Sequence, residues 1–303
     1  SYGTPESMDQ IEAYYTHIRR GNPPSPEELQ DLINRYEAVV GGFFPLRRNT
    51  DRQVQGLQRA LDEAFGPGRF VCYQGLKHAR PFIEDGVQAM ADDGIRHAVG
   101  VVLAPHYSVM SVGGYIKRAQ EKADALGVRM AFVRSYHDHP LLIEAHAERL
   151  QRQFGFFAPD VRDDVLVLFS AHSLPERILQ MNDPYQDQLL TTARLVAEKA
   201  GATRWRFVWQ SAGRTKEPWL GPDILDVLRS LHQEGVQRVV VCPIGFVSDH
   251  LEILYDIDIE CRRLADSLGM NLRRTAMLNT DPKYMKLLTD VVHQASLELG
   301  VAQ

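Results

Sequence analysis

The sequence predicts an α/β fold in which parallel sheets are covered by helices on both faces, and three observations carry that reading. Short β-branched runs alternate with longer amphipathic segments along the whole chain, the pattern of strand–helix–strand units. The 303 residues are enough for about two domains of ordinary size. A polar stretch, Ala158 to Asp164, divides the chain near its middle and is followed by a fresh strand. The expected units are therefore residues 1–160 and 161–303.

The opening, Ser1-Tyr2-Gly3-Thr4-Pro5, reads as the loop after a strand, and no strand precedes it. The expected strands follow as Phe70–Tyr73, Ala98–Leu103 and Met130–Ser135 in the first half. Val165–Ser170, Trp205–Trp209, Val239–Pro243 and Asn271–Thr275 follow in the second. Each is a short run of β-branched and aromatic residues bounded by turn-forming ones. Between them, 3.6-residue apolar spacing predicts helices over Thr50–Phe65, Pro81–Asp93, Ser111–Ala125, Leu141–Phe154, Asp187–Ala200 and Asp223–Gln233. Asp281–Leu299 reads as a terminal helix able to pack back on the first unit. No internal repeat or low-complexity tract is present.

Hydrophobic content of 44% and charged content of 24% are those of an ordinary soluble globular protein. A net charge of -5 with no basic tract argues against nucleic acid as a partner. No apolar run reaches the ~18 residues of a membrane span, so a cytoplasmic protein without an integral membrane segment is expected. The three cysteines, Cys72, Cys242 and Cys261, are odd in number and widely spaced. They read as small core residues, not as a disulfide framework or the four-cysteine ligand set of an iron–sulfur cluster.

Nucleotide fingerprints are missing: there is no G-x-G-x-x-G after a strand and no G-x-x-x-x-G-K-[ST]. In open α/β sheets ligands sit beyond the carboxyl ends of strands, and three such loops stand out. They are Phe169-Ser170-Ala171-His172-Ser173-Leu174-Pro175, Trp209-Gln210-Ser211-Ala212-Gly213-Arg214 with the following Pro218-Trp219-Leu220-Gly221-Pro222, and Cys242-Pro243-Ile244-Gly245-Phe246-Val247. One mouth could collect His172, Trp219 and Glu252. Serines flank His172, but without a G-x-S-x-G elbow a hydrolase is poorly supported. His137-Asp138-His139 reads first as a solvated loop, and His106 as a structural residue at a strand end.

The third loop enters a segment with acids at Glu252, Asp256 and Glu260, spaced four and four. On an α-helix these lie on one face, while the neighbours Leu251, Ile253, Leu254, Ile257, Ile259 and Cys261 are apolar. Buried carboxylates are costly unless paired, hydrogen-bonded or holding a cation, so the row reads as a track for a metal ion or for protons. A histidine and carboxylates at one mouth suit Fe(II), Co(II) or Zn(II). On such a helix His250 and Glu252 are expected to point away from each other. In the first half, Tyr14-Tyr15-Thr16-His17-Ile18-Arg19-Arg20-Gly21, Arg35-Tyr36 and Gly41-Gly42-Phe43-Phe44-Pro45-Leu46 place arginines beside aromatics. That combination suits a flat ligand with peripheral carboxylates; a helix surface followed by a packed loop is the alternative.

Ser170-Ala171-His172-Ser173-Leu174-Pro175, Trp219-Leu220-Gly221-Pro222-Asp223 and the run from Cys242 through Gly245-Phe246-Val247-Ser248-Asp249-His250-Leu251-Glu252 to Asp256 closely resemble the ferrochelatase family. Tyr2-Gly3-Thr4-Pro5 and Tyr14 to Gly21 resemble its soluble bacterial branch, the coproporphyrin ferrochelatases, and the likeness covers essentially the whole chain. The resemblance implies two Rossmann-like domains of the chelatase fold with a porphyrin cleft between them, and insertion of Fe(II) into coproporphyrin III to give Fe-coproporphyrin. It implies that His172 and Glu252 are catalytic and meet the incoming iron. Asp256 and Glu260 would continue the metal-binding row, where a second divalent ion such as Mg(II) could sit. Tyr2 would face the other side of the macrocycle, Arg19, Arg35, Tyr36 and Tyr115 would hold propionates, and Lys77, His78 and Trp219 would line the cleft. A downstream haem-pathway enzyme would receive the product, and a monomer without an iron–sulfur cluster is expected.

The sequence departs from the branch at Phe44, which stands where a small hydroxyl residue usually contacts a propionate, and at His137, which replaces an aromatic. Competing readings are a protoporphyrin IX ferrochelatase, a cobalt or nickel tetrapyrrole chelatase, and a non-enzymatic haem-binding protein. The acid row and the Tyr2 loop favour iron insertion among them.

Overall fold

The protein, as a computed structural model, is described over residues 1–39 and 44–300. Two parallel sheets organise it. In the first half β1 (His97–Val101) pairs with β2 (Arg129–Val133). In the second, β3 (Leu166–His172), β4 (Trp205–Gln210), β5 (Arg238–Cys242) and β6 (Asn271–Arg274) form one sheet in the order β4-β3-β5-β6. Residues 166–171 of β3 are buried on both faces, which is why it reads as a continuous apolar run rather than an alternating one. The helices are α1 (Ile11–Ile18), α2 (Pro26–Ala38), α3 (Pro45–Phe65), α4 (Ile83–Asp92), α5 (Val112–Leu126), α6 (Pro140–Phe154), α7 (Tyr185–Ala200), α8 (Ile224–Gln233), α9 (Leu251–Leu254), α10 (Arg262–Ser267) and α11 (Pro282–Glu298).

Local chemistry sets the ends of these elements. The α2 helix starts on a capping box: Glu28 N–H donates to Ser25 Oγ, Ser25 N–H donates to the Glu28 carboxylate, and Pro26 occupies the first turn. The α5 and α7 helices stop at Gly127 and Gly201, both in the left-handed region. The α11 helix begins at the Asp281 cap with Pro282. It packs through Tyr284, Leu287 and Leu288 against Leu57 and Leu61 of α3 and Leu142 of α6.

The expected strand over Phe70–Tyr73 is not one. Its residues have no ladder partner among the described residues and face β1 across an apolar cavity of about 610 Å³. Strands pair only at a spacing of ~4.8 Å, and none of the described strands lies that close to this segment. Helices α1 and α2, absent from the list of expected helices, are formed. The segment between β5 and β6 differs as well: after one α-helical turn, Asp256–Cys261 is π-helical, with Glu260 N–H bonded to the Tyr255 carbonyl. A π-turn carries an additional residue, so the acid row follows a wider spiral than the assumed α-helix; such turns gather at functional sites.

The two halves are tied by polar contacts. His106 shares a 2.8 Å hydrogen bond with Thr192, Ser108 Oγ donates to Asp183, and Gln53 Nε2 donates to the carbonyl of Asn279. His106 is thus a buried structural residue. His137 bonds Ser135 Oγ, and His139 caps α6 by accepting from Leu141 N–H. Both serve the fold of their turn. Cys242 and Cys261 are buried free thiols.

Candidate active site

Strands β3 and β5 are neighbours in the second sheet, so the loops at their carboxyl ends rise side by side. His172 is the last residue of β3, and Glu252 lies in the first turn of α9, beyond the loop that leaves β5. The loop can press onto β3 because residue 245 is glycine. Gly245 N–H donates to the Ser170 carbonyl, and a Cβ there would fall 2.4 Å from the Ala171 Cβ.

The result is a pair: His172 Nε2 lies 3.3 Å from Glu252 Oε1, with about a third of each side chain exposed (33% and 35%). His172 Nδ1 is hydrogen-bonded to the Ser173 carbonyl, which fixes Nδ1 as the protonated nitrogen and aims Nε2 at the carboxylate. Burial alone would lower the imidazole, but the Glu252 carboxylate overrides it and raises His172 to about 9. Glu252 shows the reciprocal effect. Burial would raise its carboxyl, yet His172 and His250 hold it well below the usual carboxylate range. At neutral pH the pair is an imidazolium–carboxylate couple sharing one proton.

The expected divergence of His250 and Glu252 is overturned. His250 Nε2 lies 3.4 Å from Glu252 Oε2, because His250 precedes the helix with extended backbone (φ -157°) and folds back, its Nδ1 bonded to the Ser248 carbonyl. Glu252 is therefore held from both sides. Gln210 fixes its backbone: Nε2 donates to the Glu252 carbonyl, and Ser170 Oγ donates to Gln210 Oε1.

Asp256 sits behind the pair, buried, with Ser211 Oγ donating to Oδ2 and Arg35 Nη1 3.4 Å from Oδ1. Burial and the nearby Glu252 charge raise its carboxyl to about 7, with Glu260 adding to the same push. The three acids therefore form one electrostatic row despite the π-helix. Among the described residues, however, no three His, Cys, Asp or Glu side chains converge as a metal site. Ser211, which holds Asp256 from a strained left-handed backbone (φ 60°), was not singled out from sequence. The loop was visible, but nothing in the letters marks the strain.

The first-half residues divide. Tyr2 is 39% exposed, and its ring lies 4.6 Å from that of His78. Burial and the Glu252 charge both raise its hydroxyl. Lys77 sits over the Tyr115 ring at 5.1 Å. Trp219 lies 6.4 Å from His172, ring to ring. Arg19 is paired with Glu28 at 3.0 Å, and Arg35 with both Asp31 and Asp256, so neither guanidinium is uncommitted.

Two of the expected substrate residues sit in a packed core. Tyr36 is only 2% and Phe44 only 4% exposed; their rings meet at 4.7 Å beside Ile11. They pack a small core and present no open face to a ligand. Gly41, Gly42 and Phe43 lie outside the described residues. Phe44→Ser should therefore destabilise the protein by about 3 kcal/mol through the cavity it opens, read by chemical denaturation. Unchanged stability with tighter porphyrin binding would restore Phe44 to the substrate site.

The histidine–carboxylate pair stands at the carboxyl-end mouth of an α/β sheet, where ligands of such sheets bind. The sirohydrochlorin chelatase SirB from Bacillus subtilis subspecies spizizenii in complex with cobalt superposes with a TM-score of 0.56 at 14% identity, over 82% of this chain and 91% of that one. SirB from Bacillus subtilis with Fe³⁺ superposes at 0.59 and 15% identity, over 83% and 92%. At that identity the likeness establishes the chelatase fold. The Ferrochelatase family model matches residues 1–296. The coproporphyrin III ferrochelatases of Geobacillus sp. (strain WCH70) and Bacillus subtilis (strain 168) are each 46% identical over 294 residues, 96% of this chain and 94% of theirs. That of Halalkalibacterium halodurans is 45% identical over 300 residues, 98% of this chain and 96% of its own. The chain belongs to the ferrochelatase family.

Proposed function

We propose that this protein inserts Fe(II) into coproporphyrin III, releasing two pyrrole protons and yielding Fe-coproporphyrin for a later enzyme of haem synthesis. The observation that carries the chemistry is the His172–Glu252 pair at 3.3 Å; the choice of porphyrin rests on the relatives named above. Glu252, anionic at neutral pH, attracts the cation and helps strip its water. The His172 Nε2 proton is then displaced by the metal, since one nitrogen lone pair cannot hold both, and leaves to solvent through the open side of the partly exposed pair.

Once iron passes to the ring, Nε2 is free again to accept one pyrrole proton, hand it on, and then accept the second. Asp256 suits onward transfer: its carboxyl at about 7 can both take and give a proton at neutral pH. Asp256 and Glu260 thus form a drain behind Glu252, and an outer divalent ion such as Mg(II) would add at Glu260. Tyr2 lies on the opposite face of the macrocycle, and Arg19 and Arg35 would exchange their present carboxylate partners for propionates. We read residues 1–160 and 161–303 as the two domains that close on the ring, with α11 held by the first. The protein works as a cytoplasmic monomer without an iron–sulfur cluster. No helix among the described residues is long and apolar enough to cross a membrane.

Anaerobic mixing of the protein, Fe(II) and coproporphyrin III tests this reading. The four-band spectrum of the free base should collapse to that of the metallated ring, faster than with protoporphyrin IX. A spectrum unchanged by the protein would refute it.

A further inference from the structure

The first turns of α3 carry polar side chains on two neighbouring stripes of the helix. Arg47 and Thr50, three residues apart, form one; Asn49 and Gln53, four apart, form the other. Thr50 and Gln53 are each only 1% exposed. A buried hydroxyl or amide is costly unless it is bonded, so each stripe must meet polar groups.

The stripes meet different loops. Arg47 Nη2 pairs with Glu6 at 2.8 Å, Arg47 Nη1 donates to the Arg80 carbonyl at 2.6 Å, and Thr50 Oγ1 lies 3.2 Å from Ser1 Oγ. These contacts fix α3 to the loop that carries Tyr2. On the other stripe Asn49 Nδ2 donates to the Asp249 carbonyl at 2.8 Å. Gln53 Nε2 donates to the carbonyls of Asn279 at 2.9 Å and Val247 at 3.4 Å. Asn279 completes the arrangement from the second half, with the left-handed backbone (φ 48°) that asparagine tolerates. Its N–H donates to the Val247 carbonyl, its Oδ1 accepts from the Asp249 N–H, and its Nδ2 donates to the Asp249 carboxylate.

The segment that presents Glu252 is thus anchored twice. Gly245 and the Glu252 carbonyl are held by the second sheet, through Ser170 and Gln210. The carbonyls of Val247 and Asp249 between them are held by α3, from the first half of the chain. His172 has no such tie: it stands at the end of its own strand, bonded to the Ser173 carbonyl.

We propose that Asn49 and Gln53 are positioning residues for the metal side of the mouth. From the first half they set the loop at 247–249, and through it the Glu252 carboxylate opposite His172. This rests on the reading of the His172–Glu252 pair as the place where the metal arrives. It adds that the pair is in register only while α3 is docked on that loop.

The test uses Asn49, which is partly exposed, because Gln53 lies in the core. Asn49→Ala removes the donor, and Asn49→Asp keeps the shape but cannot donate. Co(II) uptake by the porphyrin-free protein, read by visible absorption, should weaken about fivefold in both, the scale of one hydrogen bond. The KM for Fe(II) should rise by a similar factor with kcat within twofold of the wild type. Metal-free coproporphyrin binding, read by fluorescence, should be unchanged. Co(II) affinity equal to the wild type in either variant would overturn the proposal. So would porphyrin and metal affinities falling together, the mark of a general structural defect, or a wild type that takes up no Co(II) at millimolar concentration. Because Co(II) is read without turnover, a wild type that shows these differences but inserts no iron would count against the function and leave the positioning role standing.

Discussion

His172→Ala should lower the rate of metal insertion by at least about 100-fold while coproporphyrin still binds, in line with the ~10²–10⁴ contributed by a positioned acid–base group. The imidazole stands at the end of a strand buried on both faces, its Nδ1 committed to the Ser173 carbonyl and its Nε2 to Glu252. Removing it takes away the proton carrier and leaves the Glu252 charge held by His250 alone. The side chain is not part of the buried core, so folding should be little affected. Turnover within a few-fold of the wild type would assign the acid–base work elsewhere.

Glu252→Gln and Asp256→Asn separate the two roles of the acid row. Glutamine keeps the shape at 252 but loses the charge that draws the cation. The apparent KM for Fe(II) should therefore rise by at least about tenfold, the low end of what disturbing a metal ligand's surroundings costs. Asp256 is already close to half-protonated at pH 7 and is occupied by Ser211 and Arg35. Asparagine mimics its neutral form, so kcat should fall with little change in KM, and the pH dependence of kcat near 7 should flatten. Steady-state kinetics in Fe(II) across pH 6–9 distinguish these effects. An equal rise in KM in both variants would mean that the row conducts metal rather than protons.

Much of this was legible in the sequence because it depends on local periodicity. Six of the seven expected strands formed, since a β-branched run such as Val239–Val241 has few alternatives once it is buried. The seventh, Phe70–Tyr73, has the right residues, but a strand exists only through its neighbour, and composition does not encode the neighbour. The strand-end loops pointed to His172, Trp219 and Glu252, which the fold brings to one mouth. What could not be read was set by conformation rather than by residue type. The π-turn after Tyr255 and the backward fold of His250 are backbone choices, and they decide that Glu252 lies between two imidazoles. Phe44 and Tyr36 illustrate the same limit from the other side. Aromatics beside arginines suggested a flat ligand, whereas these two rings pack on each other and on Ile11.

In the proposed reaction His172 and Glu252 hold one proton, which the incoming metal must displace. The sign follows from the raised value of His172: the proton is bound below about pH 9 and lost as pH rises through it. Metal capture should accordingly strengthen with pH across that range. The most direct measurement is a ¹⁵N NMR titration of the His172 ring in the metal-free protein. The imidazolium should persist through pH 7.5 and titrate near 9, falling by a unit or more in Glu252→Gln. A ring that titrates near the ordinary ~6.5, unchanged by that substitution, would contradict it.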